Sequence, residues 1–143
     1  MTAPRSRKEV KLYDKYQATV DKASCSFCHL KESGEQMVLE TESFLVVRNL
    51  FPYSIWDGQR VVDHLMVVPK RHTDTLSDLS PSQAAEFLKI IGDYEREGYN
   101  VYARAPGSHM KSIVHQHTHL IKTAGLPKKF LFLLRKPYIR VTF

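Results

Sequence analysis

Three histidines, His115, His117 and His119, alternate with other residues in the run Val-His-Gln-His-Thr-His-Leu-Ile. Residues two apart in an extended chain share a face. The spacing predicts a strand over Ile113–Lys122, with the imidazoles about 7 Å from each to the next along one side. The rest of the segment is largely apolar, so this is no accidental row on a solvated surface. Imidazoles titrate near neutrality and can attack, shuttle protons or bind metal. Three ligands on one strand do not easily converge on one ion, which argues against a metal site built from the row alone.

Other strands and one long helix are expected around this one. Residues 8–21 read as a weakly amphipathic helix, and Cys25–His29 as a turn. Met37–Leu39 and Phe44–Asn49 read as a hairpin joined near Thr41–Ser43. Asp63–Val68 is a strongly apolar strand ended by Pro69. Ser80-Pro-Ser-Gln83 carries a capping serine, a proline at the first helical position and a glutamine three residues after the cap. Behind it Ala84, Phe87, Leu88, Ile91 and Tyr94 fall on one helical face, and Gly98 is a suitable stop. Tyr99–Arg104 reads as a strand and Ala105–Lys111 as a loop. Strands grouped around one long helix, without regular βαβ alternation, predict an α+β fold with an antiparallel sheet.

With 143 residues the chain suits one domain, spanning 1–143. Hydrophobic residues at 43% and charged residues at 25% exclude a disordered chain. No run reaches the 18 or so apolar residues of a membrane helix, and the charged N-terminus lacks the apolar core of a signal peptide. The expectation is a soluble cytoplasmic protein. The net charge is +6, concentrated in a basic tail over 123–143. Lys128, Lys129, Arg135, Lys136 and Arg140 face no acid there, and Phe130, Phe132, Tyr138 and Phe143 lie among them. Such a segment could grip a phosphate backbone, or form a partly buried strand with solvated charges.

Both cysteines of the chain lie in Cys25-Ser-Phe-Cys28. A CxxC is half a zinc site or a redox pair. As half of a tetrahedral site it needs two further ligands, with His29, His64, His72, His109 and the histidine row as candidates.

The run His115-Gln-His117-Thr-His119-Leu-Ile resembles the His-x-His-x-His signature of the histidine triad (HIT) superfamily. Asp63-His64-Leu-Met-Val-Val-Pro-Lys-Arg-His72 is similar to that family's strand ending in Val-Ile-Pro-Lys-x-His. Thr75-Leu-Ser-Asp-Leu79 resembles the lead into its helix, and Asn100 sits where the family has a strand asparagine. The likeness covers residues 25–122. It implies an antiparallel sheet of about five strands with one long helix and an N-terminal helix, paired as a homodimer.

It also implies chemistry: a nucleoside phosphate is bound, the middle histidine attacks the α-phosphorus, and water or another acceptor releases the nucleotide. On this resemblance His117 is the nucleophile, and His119 stands near the leaving group. Asn49, His64, Asn100 and Ser112 hold the nucleotide. Some members, galactose-1-phosphate uridylyltransferases among them, carry structural zinc on positions matching Cys25, Cys28, His72 and His115. Those transferases have Gln where this chain has His119, which favours transfer to water over transfer to a sugar phosphate. The alternatives are aprataxin-like removal of AMP from nucleic-acid ends, or a nucleotide-binding module with little turnover.

Overall fold

A computed structural model describes residues 5, 7–19, 24–127, 131–135 and 138–142. The end of the helix expected over 8–21 lies outside them, as do Lys128, Lys129, Phe130, Lys136 and Phe143.

Helix α1 runs Arg7–Thr19. A 3-10 stretch over Ser26–Gln36 replaces the short turn expected at Cys25–His29. The hairpin follows as β1, Met37–Glu40, and β2, Phe44–Arg48. A two-residue strand β3, Ile55–Trp56, turns through Asp57-Gly58 into β4, Gln59–Pro69. Both turn residues have positive φ, 48° and 73°, the backbone that a tight Asp-Gly hairpin demands. Helix α2 spans Pro81–Arg96 and leads into β5, Tyr99–Ala103. Strand β6 covers Thr118–Pro127, and β7, Leu131–Arg135, pairs with β8, Tyr138–Thr142.

The main sheet has six strands in the order β1-β2-β4-β6-β5, with β3 on β4, and every pair is antiparallel. β7 and β8 form a separate antiparallel pair, so part of the basic tail takes the strand form. No helix among the described residues is long and apolar enough to cross a membrane.

Both faces of the sheet are covered, which is why Phe44–Val47 and Leu65–Val68 read as unbroken apolar runs. One face sends Phe44, Val46, Leu65, Val67 and Leu120 against Phe87 and Ile90 of α2. The other sends Leu45, Val47, Met66 and Val68 against Phe27 and Leu30 of the 3-10 stretch. α2 starts at a complete capping box: Gln83 N–H donates to Ser80 Oγ at 3.3 Å, and Ser80 N–H to Gln83 Oε1 at 3.0 Å. Such a cap stabilises by about 1 kcal/mol. Gly98, at φ +89°, turns the chain from α2 into β5.

Candidate active site and metal site

The histidine run does not lie on one strand as its spacing predicts. β6 begins at Thr118, so of the three only His119 is in the sheet. Before it the chain bends, and the Gln116 N–H donates to the Thr73 carbonyl at 2.6 Å, outside the ladder. The rings therefore do not form an even row. Those of His117 and His119 lie 5.0 Å apart, while His115 turns toward His72, 4.7 Å between centroids. A loop crossing from behind β4 claims the backbone that a longer strand would have used.

His115 is fully buried among the cysteines. Its Nε2–H donates to the Pro69 carbonyl at 2.9 Å, which leaves the Nδ1 lone pair pointing away from that bond. Cys25 Sγ lies 3.5 Å and Cys28 Sγ 3.7 Å from Nδ1, and His72 Nδ1 is 3.4 Å from Cys28 Sγ. All four donor atoms fall within 4.8 Å of one another. A tetrahedral ion with bonds of about 2.3 Å to sulfur and about 2.05 Å to nitrogen would hold S and N roughly 3.5 Å apart. The observed separations match that edge. A carbonyl holding the far nitrogen of a ligating imidazole is the usual support for its ring. Cys25, Cys28, His72 and His115 could thus bind a metal ion, bringing together segments far apart in the chain. His29, His64 and His109 are not in the cluster.

Phe27, inside the CxxC, sets its ring edgewise against His117, 5.1 Å between centroids. His117 Nδ1–H donates to the His115 carbonyl at 2.8 Å, so Nε2 carries the free lone pair. Burial lowers its proton affinity below that of ordinary histidine, with the carbonyl bond opposing. The ring is therefore neutral at pH 7, the form that can attack.

His119 is oriented by a chain of bonds that assigns each tautomer. The Tyr53 N–H donates to His64 Nδ1 at 3.1 Å. His64 must then carry its proton on Nε2, from which it donates to His119 Nδ1 at 2.9 Å. His119 in turn keeps its proton on Nε2. Asn49 Nδ2 lies 3.2 Å from His64 Nε2; with that nitrogen protonated, the contact is not a bond donated by Asn49. Burial, with the Arg5 charge next, pushes His64 down to about 3. Burial, with neighbouring His117 and His64, pushes His119 down to about 2. Both rings are neutral across the physiological range.

His117 and His119 line a cavity of about 530 Å³. Asn49 and Ser112 line it too, whereas Asn100 does not. Asn100 is exposed on β5, pairs in register with Ile121 and donates through Nδ2 to the Ile121 carbonyl at 3.2 Å. The cavity end of β5 is three residues further on. Tyr102 pairs with His119 and Ala103 with Thr118, so the next residue, Arg104, reaches the cavity.

Tyr53 and Tyr102 flank His119, with centroids at 5.5 and 5.9 Å, and Trp56 packs on both tyrosines. α1 closes another side: Tyr13 and Tyr16 pack on Phe51, and Arg5 donates from Nε and Nη2 to the Phe51 carbonyl at 3.0 and 2.7 Å. Sequence reasoning missed these aromatics and both arginines.

The HIT domain family matches residues 30–125. No curated protein sequence matches the chain. Among solved structures it is similar to a hypothetical histidine triad nucleotide-binding protein of Sulfolobus tokodaii strain7. The two are 25% identical, with 69% of this chain and 68% of that one covered and a TM-score of 0.53. A member of the HIT family of proteins from Bacillus subtilis is 20% identical over 71% of this chain and 74% of that one, TM-score 0.55. A HIT family hydrolase of Legionella pneumophila Philadelphia 1 is 20% identical over 68% and 90%, TM-score 0.51. The family match runs from inside the 3-10 stretch to the strand that carries His119, and with that span the chain belongs to the HIT domain family.

Proposed function

We propose that this chain hydrolyses a nucleoside phosphate derivative — a phosphoramidate, a dinucleoside polyphosphate or a nucleotidyl adduct — through a nucleotide covalently held on His117. One observation carries the reading: His117 gives its Nδ1 proton to the His115 carbonyl, so a neutral ring presents the Nε2 lone pair at the cavity it lines. That nitrogen attacks the α-phosphorus, and the bond to the leaving group breaks with its electron pair. Water then adds to phosphorus and loses a proton to solvent, the P–N bond returns its pair to Nε2, and the nucleotide leaves. Two displacements replace one difficult step. His119 offers Nε2–H to the departing atom, held in that tautomer by His64. Asn49 and Ser112 bind ribose and phosphate from the cavity wall, where donors aimed at phosphate oxygens oppose the developing charge.

Cys25, Cys28, His72 and His115 would hold zinc in a structural role. Two thiolates and two imidazoles form the donor set zinc prefers, and four protein ligands leave no position for water. Its chemistry is to brace the loop that carries His115 and His117.

The test is intact mass after incubation with adenylated and guanylated compounds, quenched at neutral or alkaline pH. One nucleoside monophosphate should add to the wild type and none to His117→Ala. Because a phosphoramidate is acid-labile, the adduct should vanish in mild acid. Mapping of the nucleotide to another residue, or near wild-type turnover by His117→Ala, would refute the mechanism.

A further inference from the structure

Two guanidinium groups line the reaction cavity, and each lies over one of the tyrosines that flank His119. Arg5 Cζ is 5.4 Å from the Tyr53 centroid, and Arg104 Cζ 5.4 Å from the Tyr102 centroid. Both are thus one ring away from the imidazole assigned to the leaving group. Arg5 uses its Nε–Nη2 edge on the Phe51 carbonyl, and those bonds do not involve Nη1. Among the described residues no hydrogen bond or ion pair engages the Arg104 guanidinium, and the side chain is half-buried. The two cations also feel each other: burial lowers the proton affinity of Arg5, Tyr13, Tyr53 and Glu9 oppose that, and the Arg104 charge adds to the lowering last. Two like charges beside one cavity form an arrangement that an anion between them would relieve.

The tautomer chain bears on the same question. His119 receives the His64 proton on Nδ1 and can offer only the Nε2–H of a neutral ring. A neutral imidazole donates a hydrogen bond well but is a poor acid. An amine leaving group needs a full proton to depart, whereas a polyphosphate departs with its negative charge and needs cations instead.

We infer that Arg5 and Arg104 form a clamp for a polyanionic leaving group, which makes this site selective for substrates whose α-phosphate is joined through oxygen to a further phosphate. The inference rests on the proposed roles of His117 and His119. As His117 Nε2 bonds to the α-phosphorus, the bridging P–O bond breaks and its pair stays on the β-phosphate oxygen. The two guanidiniums neutralise that charge, His119 donates a hydrogen bond to it, and no proton is transferred.

The experiment compares kcat/KM for a dinucleoside polyphosphate with that for the p-nitrophenyl ester of the same nucleotide, in wild type, Arg104→Gln and Arg5→Gln. Melting temperatures establish that each variant is folded. Hydrogen bonds between charged groups of this kind are worth about tenfold or more in rate each. The ratio of polyphosphate to ester should therefore fall about tenfold or more in each variant. A ratio that stays at the wild-type value in folded Arg104→Gln overturns the clamp, as does a wild type that prefers a phosphoramidate to the polyphosphate. Those results differ from a wild type that hydrolyses neither compound and forms no adduct, which would instead refute the proposed hydrolysis itself.

Discussion

Below pH 6.5 the fold must hold two imidazoles neutral that the unfolded chain would protonate. His64 and His119 are 3% and 5% exposed, and three of their four ring nitrogens are committed to each other or to the Tyr53 amide. Unfolded histidine titrates near 6.5, while these titrate at about 3 and about 2 in the folded protein. Between those values the unfolded state binds more protons, so stability is complete above about pH 6.5 and falls as the pH drops through the window. At pH 5 a ring that stays neutral costs RT ln(1 + 10^1.5), about 2 kcal/mol. Urea unfolding at pH 7 and pH 5, in wild type and His119→Gln, isolates one ring from every other titrating group. The variant should lose about 2 kcal/mol less than wild type on acidification, about 1 M in urea midpoint for a domain of this size. Equal losses in the two proteins would mean that His119 is protonated in the fold at pH 5, and the tautomer chain would be refuted with it.

Elemental analysis of freshly purified protein should give about one zinc per chain, and Cys25→Ser should lose both the metal and part of the melting temperature, since binding at such a site is coupled to folding. A metal-free protein that melts as wild type would refute the site. Light scattering at micromolar concentration should report a homodimer, about twice the 16.5 kDa chain mass; a single species at the chain mass would remove the pairing expected from the family.

Local chemistry decided the parts of the fold that could be read in advance. The capping box at Ser80 and the helix stop at Gly98 need only near neighbours in sequence, and both appear where their residues stand. The hairpin around Thr41–Ser43 and the strand ended by Pro69 likewise follow from short apolar runs and breakers. The histidine run was legible as chemistry but not as geometry. Its period of two matches a strand, yet Gln116 bonds to Thr73, and His115 turns to cysteines some 90 positions away. No window of sequence contains those partners. The cavity end of β5 shows the same limit. Asn100 lies within β5 and Arg104 just past its end, and only the register with β6 decides which of them reaches the cavity. Arg5 lies ahead of the helix expected over 8–21, and its place in the cavity depends on Phe51 and Tyr53, both more than 40 residues on.

His115 serves two centres with two different parts of itself. Its ring nitrogen faces the cysteines, and its carbonyl oxygen holds the Nδ1 proton of His117. The distance from cluster to proposed nucleophile is thus set by one residue's covalent frame and the single hydrogen bond it accepts. In-line attack tolerates little error, and a misplacement of about 1 Å can cost about a hundredfold in rate. Whatever loosens the cysteine–histidine cluster is transmitted through that peptide unit as a change of aim at His117. If the cluster holds the proposed zinc, an oxidant or a chelator would then silence the proposed chemistry at temperatures where the sheet, packed by α2 on its other face, is still intact.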